Sequence, residues 1–187
     1  DRKYKEISRE EFADGIKNNT LLEVTNNVPV HKGDVFFIES GTLHAIGKGI
    51  LIAEIQQNSN TTYRVYDYGR VGKDGKPREL HIEKAIDVTE LCPPKYDTKP
   101  QGKPVKIDGG EETLLRSCEY FDVHKIKVSG TVTLDADEKS FMSVLVLDGN
   151  GKIGELDAKK GDSFFVPAGY GRFTLTGNLE VILSDIV

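Results

Sequence analysis

The sequence predicts a mainly β protein, a sandwich or barrel carrying one or two short helices. Three observations support that prediction. Short apolar or alternating runs recur at close spacing between glycine turns, as in VFFI at 35–38, LIAEIQ at 51–56 and YRVYDY at 63–68. A stretch near the start of the chain returns near its end in unbroken register. Between the two copies, residues 93–112 hold four of the seven prolines together with many lysines, which is the composition of a linker.

Length and charge narrow the function classes. At 187 residues there is room for one large domain or two small ones. The 25 basic and 30 acidic residues leave a formal net charge of −5, with no basic face for nucleic acid or an anionic membrane. No apolar run approaches the roughly 20 residues that span a bilayer, and no signal-peptide pattern opens the chain. These features predict a soluble, cytoplasmic protein with neither nucleic-acid nor membrane partners. Cys92 and Cys118 lack C-x-x-C spacing and read as idle or buried thiols. Asp1 in place of an initiating Met points to a fragment.

Taken in order, Ser8 followed by Glu11 is a capping box, and Phe12 and Ile16 give the following helix an apolar stripe that Asn18-Asn19 ends. Residues 21–30 are apolar but broken by Asn26-Asn27 and Pro29, predicting irregular chain and a short strand at 29–30. Strands are expected at 35–38, 51–56 and 63–68, with turns at Gly33-Asp34 and Gly41 to Leu43. GKDGKPR at 72–78 is a polar loop, and Ile82, Ala85, Ile86 and Leu91 predict a helix over 80–91, stopped by Pro93-Pro94. Beyond the linker, strands are expected at 114–118, 121–128, 131–134, 142–148, 152–156, 163–166, 172–176 and 179–183.

The repeat aligns KGDVFFIESGTLHAIGKGILIAEI (32–55) with KGDSFFVPAGYGRFTLTGNLEVIL (160–183), pairing Gly33 with Gly161, Asp34 with Asp162, Gly41 with Gly169 and Gly49 with Gly177. Both copies resemble the second motif of the cupin superfamily, G-x5-P-x-G-x2-H, whose histidine holds a metal inside a small β-barrel. The second copy keeps Pro167 but has Arg172 at the histidine position, whereas the first keeps His44 and replaces the proline with Glu39. The resemblance implies two double-stranded β-helix barrels, one metal-competent and one metal-dead. Domains are expected at 1–92 (the C-terminal part of a first, incomplete cupin with a helical insertion) and 113–187 (a second, metal-less cupin), joined by the linker 93–112.

His44 is the candidate metal ligand, since neutral imidazole binds zinc well and a catalytic zinc takes about three protein ligands and an open position. Glu54 follows one turn and one strand later and is either a carboxylate in the barrel interior or a solvated strand residue. Arg64 is either a bidentate partner for an anionic substrate or a surface cation. Periodicity leaves those two choices even.

GTLHAIGKG, AEIQQNSNTTYRVYDYGR and RELH together resemble the type I phosphomannose isomerases, in their short bacterial branch, as that family's C-terminal portion. The resemblance implies a zinc-dependent aldose–ketose isomerase that interconverts mannose 6-phosphate and fructose 6-phosphate, with one zinc per complete site. Under it His44 matches a zinc-binding histidine, Glu54 an active-site glutamate, Arg64 an arginine beside the substrate, and Arg70 a basic residue near the phosphate. Asn60 stands where the family often has Asp.

The remaining zinc ligands of that family belong to segments this sequence does not contain. The expectation is therefore a chain inactive alone, with unpaired sheet edges that favour self-association. His31 reads as solvent-facing, His124 as a strand position, and His81 as either a neighbour of the site or incidental. Tyr66 and Tyr68 are equally core or substrate contacts. A competing reading is a non-catalytic cupin module that binds sugars or partners. A cupin iron oxygenase ranks last, because its two-histidine and carboxylate set is not visible.

Overall fold

The computed structural model describes residues 6–59, 61–68 and 70–187. Contacts divide the chain into two compact units, one made by residues up to Lys32 together with Phe36–Asp97, the other by Gly33–Val35 together with Thr98–Val187. The strands lie in the second unit, which makes the protein mainly β; the two helices lie in the first.

In the first unit, helix α1 (Arg9–Lys17) starts as its capping box requires. The Glu11 amide donates to Ser8 Oγ at 3.1 Å and the Ser8 amide donates to Glu11 Oε2 at 2.8 Å, so two otherwise unpaired donors satisfy each other's side chains. Asn18 closes the helix, and a single 3₁₀ turn follows at Leu21–Glu23. Helix α2 spans Ile82–Val88, shorter than the 80–91 expected. Thr89 leaves the helical region (φ −71°, ψ 129°), and its hydroxyl donates to Ala85 O at 2.6 Å, closing the last turn well before the prolines. Phe12, Leu21, Val65 and Ala85 form the small core of this unit, with Ile16, Tyr66, Ile86 and Leu91 against it.

The strands expected at 29–30, 35–38, 51–56 and 63–68 do not form. Among the described residues of this unit, the one β contact is an isolated bridge between Val71 and Pro77. A strand needs a second backbone to receive its N–H and C=O groups, and here no ladder supplies one. The apolar residues that suggested buried strands are consequently open to solvent, Phe36 at 44% and Leu51 at 91% of full exposure.

The second unit is built on two long antiparallel strands, β5 (Met142–Ile153) and β8 (Gly171–Asp185), paired from Met142↔Asp185 to Ile153↔Leu175. Each carries two short strands end to end on its other edge. Strand β8 pairs with β3 (Asp122–Val128) and β4 (Thr131–Ala136), while β5 pairs with β7 (Ser163–Val166) and β6 (Leu156–Lys159). Strand β2 (Gly110–Ser117) extends the sheet from β3, and β1 (Val105–Ile107) pairs with β2. The β1–β2 hairpin turns at Asp108-Gly109, with Gly109 at φ +78°, so part of the stretch read as linker is ordered sheet.

Sequence reading split β5 and β8 in two at their internal glycines. The ladder instead runs through them, because Gly149 (φ +85°) and Gly177 (φ +104°) bend a strand without ending it. At Gly149 a Cβ would sit 2.0 Å from Asn178 O, so no other residue permits this approach. The bent sheet closes over a core of Ile126, Val128, Val132, Val144, Val146, Leu175 and Val181.

Leu175 is fully buried at the centre of that core. Leu175→Ala is expected to cost about 2–5 kcal/mol in the unfolding transition of the second unit, measured by denaturant melts with hydrogen exchange of the β5 and β8 amides identifying the transition.

Candidate active site

The three glycine pairs of the repeat share left-handed backbone: Gly33 and Gly161 at φ +98° and +90°, Gly41 and Gly169 at +86° and +73°, Gly49 and Gly177 at +79° and +104°. The two copies therefore turn at the same places, although only the second completes its ladder. In the first, Thr42 N–H donates to Glu39 O at 3.1 Å and closes the turn before His44. Gly41 lies against the end of α2: Glu90 N–H donates to its carbonyl at 2.9 Å, and a Cβ there would come within 2.7 Å of Val88 O. The helix thus anchors the loop that presents His44.

His44 is exposed, with Nδ1 2.8 Å from Thr42 O. A carbonyl only accepts, so Nδ1 is the donor in this contact and Nε2 is the ring nitrogen left to meet a metal or a proton. Glu54 is also exposed, on the unpaired run after Leu51. Among the described residues, no hydrogen bond or ion pair joins His44, Glu54 and Arg64. No group of three or more His, Cys, Asp or Glu side chains among them is placed to hold a metal ion. His44 alone fits as one ligand; a complete zinc site does not fit the described residues.

Arg64 is held differently. Residues 64–68 and 78–81 run back on one another through the 72–76 turn, where Gly72 N–H donates to Lys76 O at 2.7 Å, and the Val71–Pro77 bridge follows. At the base, His81 N–H donates to Arg64 O at 2.7 Å and Arg64 N–H donates to His81 Nδ1 at 3.3 Å. Arg64 Nη1 donates to Glu79 O at 3.2 Å. Midway, Arg78 makes a two-point ion pair with Asp67, its Nε 2.7 Å from Oδ2 and its Nη2 on Oδ1. That contact holds the Asp67 carboxyl below the ordinary carboxylate range, and the charges of Arg64 and Arg70 add to it. Arg70 also lies 5.4 Å above the Tyr68 ring, a cation–π contact.

Arg78 is thus bound to the Asp67 carboxylate, and the charges of Arg64 and Arg70 also act on that carboxylate. Arg78 and Asp67 were not singled out from sequence. Their signal was the Asp-Gly turn in GKDGKPR, which folds residues 78–81 back on 64–67. The departure noted at Asn60 lies outside the described residues.

The other histidines divide. His31 is exposed as expected, and His81 sits at the base of the arginine loop. His124 lies on β3 with Nδ1 2.9 Å from Glu112 Oε1. Nearby, Asp122 and Asp185 are directly paired across β3 and β8. Burial pushes the Asp185 carboxyl above its ordinary value; Asp122 adds to the rise and His124 opposes it. In the second copy Arg172 Nε lies 3.9 Å from Asp135, a surface pair where the first copy has its histidine. Cys92 and Cys118 are free thiols, Cys118 half-buried with Sγ 3.4 Å from Phe121 O.

A small bent antiparallel sheet wound on two long strands, with a glycine-defined turn motif used twice, is the architecture of a cupin. Residues 110–186 match the family described as mannose-6-phosphate isomerase, cupin domain. The chain is 41% identical over 183 residues to the mannose-6-phosphate isomerase ManA of Bacillus subtilis, covering 96% of this chain and 57% of that protein. It is 38% identical over 181 residues to the mannose-6-phosphate isomerase of Streptococcus mutans, covering 95% and 56%. A crystal structure of the mannose 6-phosphate isomerase from Bacillus subtilis superposes with a TM-score of 0.86 at 34% identity, over 97% of this chain and 58% of that one. The chain is thus similar over nearly all of its length to mannose-6-phosphate isomerases, and it spans a little over half the length of these relatives.

Two titrations test the electrostatics. Because Asp67 is depressed, its ion pair is retained through the ordinary carboxylate range and lost only as pH falls below it; Arg78→Ala should return the Asp67 titration, followed by carboxyl NMR, to that range. Asp185 is raised, so ionising it opposes folding as pH climbs from the ordinary value to the folded one. Asp185→Asn should therefore stabilise the second unit at neutral pH and lose its advantage below the ordinary carboxylate range, as thermal melts across pH would show.

Proposed function

We propose that this chain supplies one wall of the active site of a cytoplasmic, zinc-dependent isomerase that interconverts mannose 6-phosphate and fructose 6-phosphate. The observation behind this reading is the arginine loop, Arg64, Arg70 and Arg78 around Asp67, in a chain 41% identical to ManA over nearly its whole length. Arg78 is paired with Asp67, and Arg64 and Arg70 are the cations this reading assigns to a phosphorylated, hence anionic, hexose.

The reaction moves a proton between C2 and C1 of the open-chain sugar, and negative charge develops on the enediolate oxygens as the C–H bond breaks. Arg64, fixed at its backbone and its guanidinium, offers N–H donors where that charge appears; prepositioned donors are most effective in such a role. Arg70, stacked on Tyr68, is placed to meet the phosphate, whose binding holds the sugar in reactive geometry. Glu54 is the available carboxylate, as proton carrier or as the group that orients one.

Zinc, when bound, would polarise the sugar oxygens or a bound water, and His44 Nε2 is the ligand this chain contributes. The described residues do not complete its coordination, so the other ligands are assigned to the part of the relatives' length that this chain does not match. On this reading the 187 residues alone are inactive and prone to self-association through exposed apolar side chains such as Phe36, Ile46 and Leu51.

The test is metal content and isomerase activity of this chain and of a form extended to the relatives' full length. Activity and about one zinc per chain in the extended form only are expected. Isomerisation by the short form would overturn the fragment reading; absence of both zinc and activity from the extended form would favour a non-catalytic sugar- or partner-binding module. In an active extended form, Arg64→Ala should lower kcat by about 10²–10³.

A further inference from the structure

We propose that His81 is a positioning residue for Arg64: its Nδ1 accepts the Arg64 backbone N–H while its own N–H donates to the Arg64 carbonyl, fixing the arginine to the start of α2. The proposal rests on the reading of Arg64 as a group that meets the reacting sugar.

The geometry favours this role over simple packing. His81 is the N-cap of α2, a position where Ser, Thr, Asp or Asn would serve the helix better. Its side chain makes no capping hydrogen bond; the ring nitrogen that could cap is given to Arg64 instead. The helix still holds His81 through its backbone, since Ala85 N–H donates to His81 O at 2.9 Å. Ala85 is buried with Val65, the residue next to Arg64, so both ends of the connection are set in the same core.

A backbone N–H can only donate, so Nδ1 must be the bare nitrogen and Nε2 must carry the proton. That proton faces Glu79, whose Oε2 lies 3.7 Å from Nε2, and the Tyr63 ring lies beside the imidazole with centroids 6.1 Å apart. Glu79 contributes its main-chain carbonyl to Arg64 Nη1. Residues 79 and 81 thus hold the backbone and the guanidinium of Arg64 at once. An arginine that stabilises developing charge works only where that charge appears, and a displacement of about 1 Å can cost about 10²-fold in rate.

The experiment uses the extended, isomerase-competent protein with His81→Ala, His81→Asn and Arg64→Ala. Asparagine places its Oδ1 near the Nδ1 position and can accept the same N–H; alanine cannot. His81→Ala should lower kcat about ten- to hundredfold, leave KM for mannose 6-phosphate within about twofold, and speed hydrogen exchange of the Arg64 amide. His81→Asn should restore both the rate and the protection. Should His81→Ala fail to fold, His81→Gln takes its place, since its amide reaches toward the Nε2 position and leaves the Arg64 N–H unpaired. Equal activity in the Asn variant and in the Ala or Gln variant, or an Arg64 amide that exchanges alike in all, overturns the proposal while leaving Arg64's own role standing. Wild-type activity in Arg64→Ala overturns the reading of Arg64 itself.

Discussion

Backbone pairing between β5 and β8 is the constraint on which the second unit depends. Each of these strands offers two edges. One edge is used on the other long strand, and the other receives two short strands in succession. The bends at Gly149 and Gly177 curve the ladder without interrupting it, so the inward residues of β3, β4, β5 and β8 meet in one core. That core and the ladder are mutually dependent: apolar burial supplies the driving force, and the ladder keeps the backbone polar groups it buries satisfied.

The first unit shows the same sequence pattern under the opposite condition. The first copy of the repeat has the same left-handed glycines and the same Phe pair, yet its apolar runs form no strand, and Leu51 is almost wholly exposed. A half-buried alternating sequence is suited to a sheet, but it does not make one without a neighbour. What holds this unit is a small core between two short helices and the hydrogen bonds that tie its loops to them. Gly41 against the end of α2 secures the His44 turn, and His81 at the start of α2 secures Arg64. Both candidate site segments are therefore anchored to opposite ends of one seven-residue helix.

Electrostatics then divides the site residues. The Arg78 guanidinium is committed to Asp67, and the charges of Arg64 and Arg70 act on the same carboxylate. The His44 ring and the Glu54 carboxylate are both exposed. The His44 turn and Arg64 are thus each held by their own local structure, and the described residues bring together no group of three or more His, Cys, Asp or Glu side chains that could hold a metal ion.

Much of this was legible in the amino-acid sequence because it rests on local rules. The capping box of α1, the glycine turns, the register of the repeat, β7 at 163–166 and the β-rich second half follow from residue preferences acting over a few positions. Family likeness was legible too, since His44, Glu54 and Arg64 lie in one continuous, distinctive segment. Tertiary structure decided what depends on distant partners. It fused the strands divided at Gly149 and Gly177, built the β1–β2 hairpin inside the proline-rich stretch, and left 35–38, 51–56 and 63–68 outside any strand ladder. It also paired Arg78 with Asp67 and turned His81 toward Arg64. The physical reason is the same in each case: a strand, an ion pair or a positioned side chain is completed by a group elsewhere in the chain, and residue preference at one position says nothing about whether that group arrives.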